Sequence, residues 1–503
     1  MGVRFPAFRS GGAFPEKDWH KFRTGNLRAL LDVNSGSLYR IDEITWDLLD
    51  IYDGTNREEV LAALSSRYDA REVKEALTEL DELRRGSGFS DHDNLAASYV
   101  PPKPDHVKAL CLLVTNDCNL RCKYCFAGGG RIDRSRMTPE VARRSLDFLF
   151  SALGKRTRCE VDFFGGEPLL VFDIVKDAIV YGEEKARAAG KTVKFTLTTN
   201  GVLLNDEVVR FLLDHDVSVI LSMDGRPQSH DEMRVFPDGR GTYETVLAKY
   251  RRYVLGERND GTSRTGNPPH AEGAGGGGSS RDGSEDSGLR FQDYWIRGTF
   301  TRRSLDFAAD VEHLVNLGFD KISMEPVIAQ EEAPYAIREE DLDRLRQSYE
   351  ELFEFYVRSV REGRDFSFYH FIVPADGGPC IYKRLTGCGA GVEYFAVTPS
   401  GDLYPCHRFA GREEFRMGDV FSGIAPQNGD ELRSRFSATH VYSKEECRSC
   451  WARFYCGGGC HASAYEFNGD ISKPYRLGCE IMKMRLEYAL LAQLALAQGD
   501  GTE

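Results

Sequence analysis

Cys118, Cys122 and Cys125 form a C-x3-C-x2-C run within TNDCNLRCKYCFAGGG, residues 115–130. Thiolates are soft ligands suited to iron-sulfur clusters. Three of them on one short loop can close on one centre while a fourth metal position keeps no local protein ligand. A 4Fe-4S cube held at three corners can bind a small molecule at the fourth, so the vacancy is where chemistry would happen. The competing reading is a zinc knuckle, but zinc favours four closed protein ligands, and neither a His nor a fourth Cys lies near this run.

A second set follows far downstream: Cys388 and Cys406, then Cys447-x2-Cys450-x5-Cys456-x3-Cys460, and finally Cys479. Cys380, eight positions before Cys388, stands at its edge. C-x2-C pairs also build tetrahedral zinc sites, so zinc ribbons compete with iron here too. Eleven of the thirteen cysteines fall into these two groups. That distribution suggests metal sites kept in a reducing, cytoplasmic compartment rather than a disulfide framework. Cys111 and Cys159 stand apart in strand-like runs and are expected to be small buried hydrophobes.

The elements that must position these thiols alternate from residue 107 onward. Apolar strand runs are expected at 107–114, 160–164, 193–197, 217–223, 295–300 and 321–327, separated by helical patterns. One of these has Thr138 as N-cap and Pro139 at its first helical position. Six such units imply an α/β fold with a parallel sheet, most simply a partial (β/α)6 barrel of the TIM type, in which function collects at the C-terminal ends of strands. The informative residues do follow strands. The cysteine run follows the first, Gly165-Gly166-Glu167-Pro168 the second, Thr198-Thr199-Asn200-Gly201 the third and Ser222-Met223-Asp224-Gly225 the fourth, and Arg297 lies within the fifth. Paired glycines let backbone groups approach a ligand closely.

Ahead of this region, residues 20–88 read as a small module. Two strand-like segments flank the turn Asn34-Ser35-Gly36, and three short helical patterns follow, the second behind a capping box from Thr55 to Glu58. A hairpin with three short helices makes a winged-helix-like unit. The expected organisation is therefore 1–100 for this module and its Pro-rich linker, 101–375 for the partial barrel, and 376–503 for a Cys-rich domain with a C-terminal helix. Residues 256–288, rich in Gly with Pro268-Pro269, read as a disordered surface insertion.

The chain has 503 residues and a formal net charge of -13, which argues against an electrostatic grip on nucleic acid or an anionic membrane. Small-molecule or peptide partners are expected instead. The opening residues lack the basic and apolar regions of a secretory signal, and no apolar run reaches the length of a membrane span.

At the first cysteine run the sequence resembles the radical S-adenosylmethionine (SAM) superfamily. The resemblance implies that Cys118, Cys122 and Cys125 hold a SAM-binding 4Fe-4S cluster, with Tyr124 as the aromatic residue before the third cysteine. It implies SAM contacts from Gly165, Gly166, Glu167, Thr199, Asn200, Ser222 and Asp224, with Arg297 for the SAM carboxylate. The downstream spacing resembles the SPASM domain of radical SAM peptide-modifying enzymes, which carries two auxiliary 4Fe-4S clusters, for three in all. That pattern assigns Cys388, Cys406 and Cys460 to auxiliary cluster I and Cys447, Cys450, Cys456 and Cys479 to auxiliary cluster II. Cys380 either completes cluster I or leaves it an open iron for a substrate thiol. The amino-terminal module resembles the recognition element that binds leader peptides in enzymes acting on ribosomally made peptides, where the leader adds a strand to the hairpin's edge.

Residues 196–203 (TLTTNGVL), 297–302 (RGTFTR), 377–391 (GGPCIYKRLTGCGAG), 401–406 (GDLYPC) and 452–460 (ARFYCGGGC) resemble the maturases of six-cysteine (SCIFF) peptides. These are thioether-forming enzymes of the ranthipeptide class. The implied reaction starts with reductive cleavage of SAM to a 5'-deoxyadenosyl radical. The radical takes a hydrogen atom from a peptide carbon, a Cys sulfur of that peptide couples to it, and an auxiliary cluster accepts the released electron. The implied partners are a precursor peptide and a reductant such as flavodoxin or ferredoxin. Carbon-carbon crosslinking, epimerisation or formylglycine formation on the same scaffold are alternatives, as are an iron-sulfur electron carrier and a peptide-binding adaptor. No catalytic acid or base is assigned among His370, Tyr382, Glu393 and His407.

Overall fold

The computed structural model describes residues 19–85, 99–101, 105–127, 134–257, 289–373 and 381–497. The Gly-rich stretch 258–288, most of the Pro-rich linker and Cys380 lie outside the described residues. The chain forms two compact units, one of residues 1–103, 338–389 and 437–503 and the other of 104–337 and 390–436.

The first unit begins with a three-stranded antiparallel sheet of β1 (Trp19–Thr24), β2 (Leu27–Asp32) and β3 (Leu38–Arg40), in that order. The β2–β3 hairpin turns at Asn34-Ser35-Gly36, where the Asp32 carboxylate accepts the Asn34 N–H at 3.1 Å and Gly36 takes φ +77°. Strand β1 was not expected, and it occupies the edge of β2, leaving β3 as the hairpin's edge. Three helices follow: α1 (Glu43–Ile51), α2 (Arg57–Leu64) and α3 (Ala70–Arg85). Leu30, Leu48, Leu49, Tyr52, Val60, Val73 and Leu77 bury one core between sheet and helices. The Thr55–Glu58 capping box does not form. The Asp53 carboxylate accepts both the N–H and the hydroxyl of Thr55 at 2.8 Å, and Asn56 is the N-cap instead. A nearer carboxylate outcompetes the hydroxyl as acceptor.

Helices Leu342–Arg361 and Arg476–Leu496 belong to the same unit and stack Tyr349 on Tyr488 at 6.3 Å. Thr24 of β1 donates to Glu350 at 2.5 Å, and the His20 ring bonds Glu487 at 2.9 Å while stacking on Trp451 at 4.0 Å. The N-terminal sheet is thus built into one body with the C-terminal segments.

The second unit carries the parallel sheet. Its strands are β4 (Ala109–Thr115), β5 (Arg158–Gly165), β6 (Thr192–Thr199), β7 (Ser218–Ser222), β8 (Tyr294–Phe300) and β9 (Lys321–Pro326). They lie side by side in chain order and pair in parallel throughout. Beyond β4 the sheet continues through β10 (Tyr394–Val397), parallel to β4, and then antiparallel through β11 (Asp402–Tyr404), β12 (Gly418–Asp419) and β13 (Gly423–Ile424). All six expected parallel strands are present within a residue or two of their expected limits. Helix Pro139–Ala152 starts as read, with the Thr138 hydroxyl accepting the Val141 N–H at 3.2 Å. Alternation sends Cys159, Val161 and Phe163 of β5 to one buried face and Glu160, Asp162 and Phe164 to the other.

Candidate active site

Loop 116–127 leaves the C-terminal end of β4 and is held by backbone bonds from two directions. Gly166 N–H donates to the Thr115 carbonyl at 2.7 Å and Glu167 N–H to the Asp117 carbonyl at 2.9 Å. On the other side Arg121 N–H reaches Val235 O at 2.7 Å and Lys123 N–H reaches Met233 O at 2.9 Å. The paired glycines are required here because the chain approaches itself. A Cβ on Gly165, at φ +128°, would lie 2.3 Å from Thr115 O, and one on Gly166 would lie 2.0 Å from Asp117 O. Only glycine permits that approach, and it sets the loop one residue before Cys118.

Glu167 is 1% exposed, yet each of its oxygens has a donor. Oε1 accepts the Thr199 hydroxyl at 2.7 Å and the Leu169 N–H at 3.1 Å, and Oε2 accepts the Asn200 N–H at 2.8 Å. Burial pushes its pKa up to about 7 against these three donors. The residue clamps the end of β5 to the end of β6. Asn200 then reaches the cysteine loop, donating to Asn119 Oδ1 at 2.8 Å and lying 3.8 Å from the Cys118 sulfur.

A second clamp stands behind Tyr124. Its hydroxyl donates to Asp224 Oδ2 at 2.5 Å. Asp224, 2% exposed, also accepts Arg234 Nε at 3.0 Å and the Thr299 N–H at 2.9 Å on Oδ1. The Arg234 guanidinium lies 5.5 Å from the Tyr124 ring centroid. Desolvation acts to lower the pKa of this arginine, but the Asp224 carboxylate beside it wins and holds it well above its ordinary value. Arg234 was not legible as a site residue. It lies 109 positions beyond Cys125, at the end of helix Pro227–Met233, and no spacing rule singles it out.

Arg297 differs from these buried groups. It is exposed, its strand lies between Ser222 of β7 and Ser323 of β9, and among the described residues its side chain makes no ion pair or hydrogen bond. A free guanidinium at a strand end suits a carboxylate ligand. Ser222 is half-buried beside it, and the Ser222 carbonyl accepts the Tyr250 hydroxyl at 3.2 Å. Sequence reasoning also missed a group on the β4, β5 and β10 strands. Cys111 is buried with Leu113 and Ala396, next to Asp162, whose pKa burial pushes up to about 6. Tyr394 bonds Cys111 and lies 3.4 Å from His407 Nδ1, whose ring contacts Phe126 and Phe164.

The three loop thiols suit an iron-sulfur cube. Burial raises Cys118 to about 12 and Cys122 to about 11, Arg234 opposing the second shift, so both are thiols until a metal takes their protons. The Leu120 N–H lies 3.4 Å from the Cys118 sulfur, and Asn119 Nδ2 is buried with no partner among the described residues. Among these residues no group of three or more His, Cys, Asp or Glu side chains stands close enough to hold a single ion. A cube has no need of such a group, because it spreads its ligands over several iron atoms.

Residues 112–254 match the Radical SAM superfamily. The chain carries a radical SAM domain. Such a domain implies SAM and a 4Fe-4S cluster, and the matched span contains both clamps and all three loop cysteines. The chain is 22% identical over 381 residues to the cysteine-type anaerobic sulfatase-maturating enzyme of Clostridium novyi (strain NT), covering 70% of this chain and 88% of that one. It is 27% identical over 169 residues to the radical SAM cyclopropyl synthase TigE of Paramaledivibacter caminithermalis, covering 31% of this chain and only 34% of TigE. The solved structure of native anSMEcpe with bound AdoMet matches 78% of this chain and 99% of that one, with TM-score 0.59 and 19% identity, a likeness of fold.

The second cysteine set lies wholly outside the matched span and mostly in the first unit. Cys447, Cys450, Cys456 and Cys479 together line a cavity of about 760 Å³, with Trp19, Trp451 and Lys483 in its wall. Burial raises Cys447 to about 12 and Cys479 to about 11. Gly457, Gly458 and Gly459 take φ +67°, +87° and +76° in succession before Cys460. Three consecutive left-handed residues explain why GGG stands there. Cys388 and Cys460 are exposed and belong to the first unit, whereas half-buried Cys406 belongs to the second. No helix among the described residues is long and apolar enough to cross a membrane.

Proposed function

We propose that this radical SAM enzyme installs Cys sulfur-to-carbon thioether crosslinks in a ribosomally synthesised precursor peptide. The observation that carries the reading is the second thiol set, four cysteines around one cavity in addition to the loop of Cys118, Cys122 and Cys125. SAM cleavage needs one cluster; coupling sulfur to carbon releases an electron that needs an acceptor. When bound, the first cluster and SAM supply a 5'-deoxyadenosyl radical. The chain's residues position and shield that chemistry.

Arg297 would hold the SAM carboxylate, and the backbone around Gly165, Gly166 and Asn200 would line its methionyl end. Glu167 and Asp224 act as positioning residues, since all their oxygens are already bonded within the protein. Per crosslink the peptide would lose one C–H hydrogen atom to the deoxyadenosyl carbon, one S–H proton and one electron, the last to an auxiliary cluster that Cys447, Cys450, Cys456 and Cys479, or the set of Cys388, Cys406 and Cys460, would hold. The winged-helix-like module takes the leader as an added strand on β3, the hairpin edge that β1 leaves available, through main-chain bonds. The partial barrel at 101–375, the SPASM domain at 376–503 and flavodoxin- or ferredoxin-type reduction complete the proposal.

Likeness to a sulfatase-maturating enzyme over 88% of its length favours a second reading, oxidation of a peptide side chain without a crosslink. Anaerobic co-expression with a Cys-rich precursor peptide, thiol alkylation and mass spectrometry separate the two. Loss of two hydrogens per crosslink with alkylation-resistant cysteines supports the thioether. Loss of two hydrogens with every cysteine alkylated sinks it in favour of carbon-carbon coupling or side-chain oxidation.

A further inference from the structure

Lys444 is 1% exposed, a rare state for a lysine. Its Nζ donates to the Gly458 carbonyl at 2.7 Å, and no carboxylate stands within ion-pair distance of it among the described residues. Local structure explains how it reaches that place. It precedes the short helix Glu445–Arg448 that carries Cys447, and the left-handed turn of Gly457, Gly458 and Gly459 folds the next carbonyl over it. Gly458 takes φ +87°, the left-handed conformation that turns its carbonyl onto Nζ, and a Cβ there would only touch the lysine side chain at 3.7 Å.

A buried ammonium without a counter-charge is costly, and one carbonyl bond does not offset its lost hydration. Burial acts to lower its pKa, and the groups that oppose this most are all thiols: Cys447, Cys456, Cys479 and Cys460. Those thiols supply negative charge only once a metal has taken their protons. Four thiolates around a 4Fe-4S cube leave a net negative charge that grows by one on reduction. A fixed cation beside them favours the reduced state, since net charge and neighbouring hydrogen bonds set cluster potentials.

We infer that Lys444 is the built-in counter-cation of the cluster held by Cys447, Cys450, Cys456 and Cys479, raising its reduction potential so that it accepts the electron released on crosslinking. This rests on the proposed cluster reading, and the two fail separately. In the anaerobically reconstituted full chain, Cys456→Ala must lower iron and sulfide content and remove one electron paramagnetic resonance signal. If content and spectrum are unchanged, the cluster reading falls.

The signal so identified is then followed in a redox titration. Lys444→Met is expected to keep the iron content while the equilibrium constant for reduction drops about tenfold, equivalent to ~59 mV for one electron. Lys444→Arg, which keeps the charge, should stay within about threefold of the parent. A Lys444→Met protein with full iron content and an unchanged potential overturns the assignment. Should Lys444→Met not hold its cluster, Lys444→Gln replaces it. Loss of the cluster in both neutral variants but not in Lys444→Arg supports the counter-cation, whereas equal loss in all three overturns it.

Discussion

On the proposed reading, the two cysteine regions solve different problems with the same ligand. The loop at 116–127 offers three thiols from a single short segment and spends its surroundings on holding that segment still. Two strand ends, the Glu167 clamp and the Tyr124–Asp224–Arg234 clamp all act on it. The region at 447–479 draws three thiols from two short helical turns and the start of a long helix and the fourth, Cys450, from the link between the two turns, and a buried cation, Lys444, stands among its partners. An incomplete ligand set leaves a position for substrate and must be aimed. A complete set leaves none, so what its surroundings can adjust is charge.

The largest expected effects break that comparison outright. Cys118→Ser should reduce 5'-deoxyadenosine formation by at least about 100-fold. Cys456→Ser should leave SAM cleavage within a few-fold while crosslinked peptide disappears, read by chromatography and mass spectrometry of one incubation. Equal loss of 5'-deoxyadenosine in both variants would mean that the regions do not divide the work.

Asp224→Ala comes next, because it strands Arg234 as a buried unpaired charge. Chemical denaturation should show a loss of ~3–5 kcal/mol. Asp224 is needed for position here, so Asp224→Asn should recover part of the stability. Gly166→Ala follows, expected to cost ~1–3 kcal/mol as the new methyl displaces the Asp117 carbonyl. It should also weaken SAM binding by calorimetry. No comparable glycine penalty is expected at Gly459, where a Cβ would meet nothing within 4 Å and only the positive φ resists substitution.

The smallest effect is a pH dependence at Asp162. Its pKa is raised by burial from near 4 to about 6. The folded state therefore binds the extra proton between those values, and stability falls as pH rises through that window. The slope is at most one proton, ~1.4 kcal/mol per pH unit. Asp162→Asn should flatten the midpoint-versus-pH curve between pH 4 and 6 relative to the parent. A curve that keeps its slope would assign the dependence elsewhere.

Much of the second unit was legible because β4, buried at every position, writes itself as a continuous apolar run and β5 as alternating apolar positions, and because polar motifs fall where those strands stop. Thr138 and Pro139 likewise declared a helix start by local chemistry alone. The Thr55–Glu58 cap failed for the opposite reason: Asp53, two residues away, competes for the same donors, and pattern matching does not rank acceptors. Strand β1 escaped notice because WHKFRT lacks clean alternation, and its burial comes from Trp451 and Glu487 more than 400 positions later.

The sequence by itself determined which residues are chemically capable: soft thiols in two spacings, glycine pairs and triplets, carboxylates after strands. Those are properties of residue type and short-range order. Only the tertiary structure decided what the carboxylates do. Glu167 and Asp224 are saturated by partners drawn from β6, β8 and a helix end, while Arg297 has no ion pair or hydrogen bond among the described residues. Tertiary folding likewise buried Lys444 beside thiols from three separate segments. Desolvation and the supply of hydrogen-bond partners depend on segments distant in the chain, and those are set only when the chain has folded.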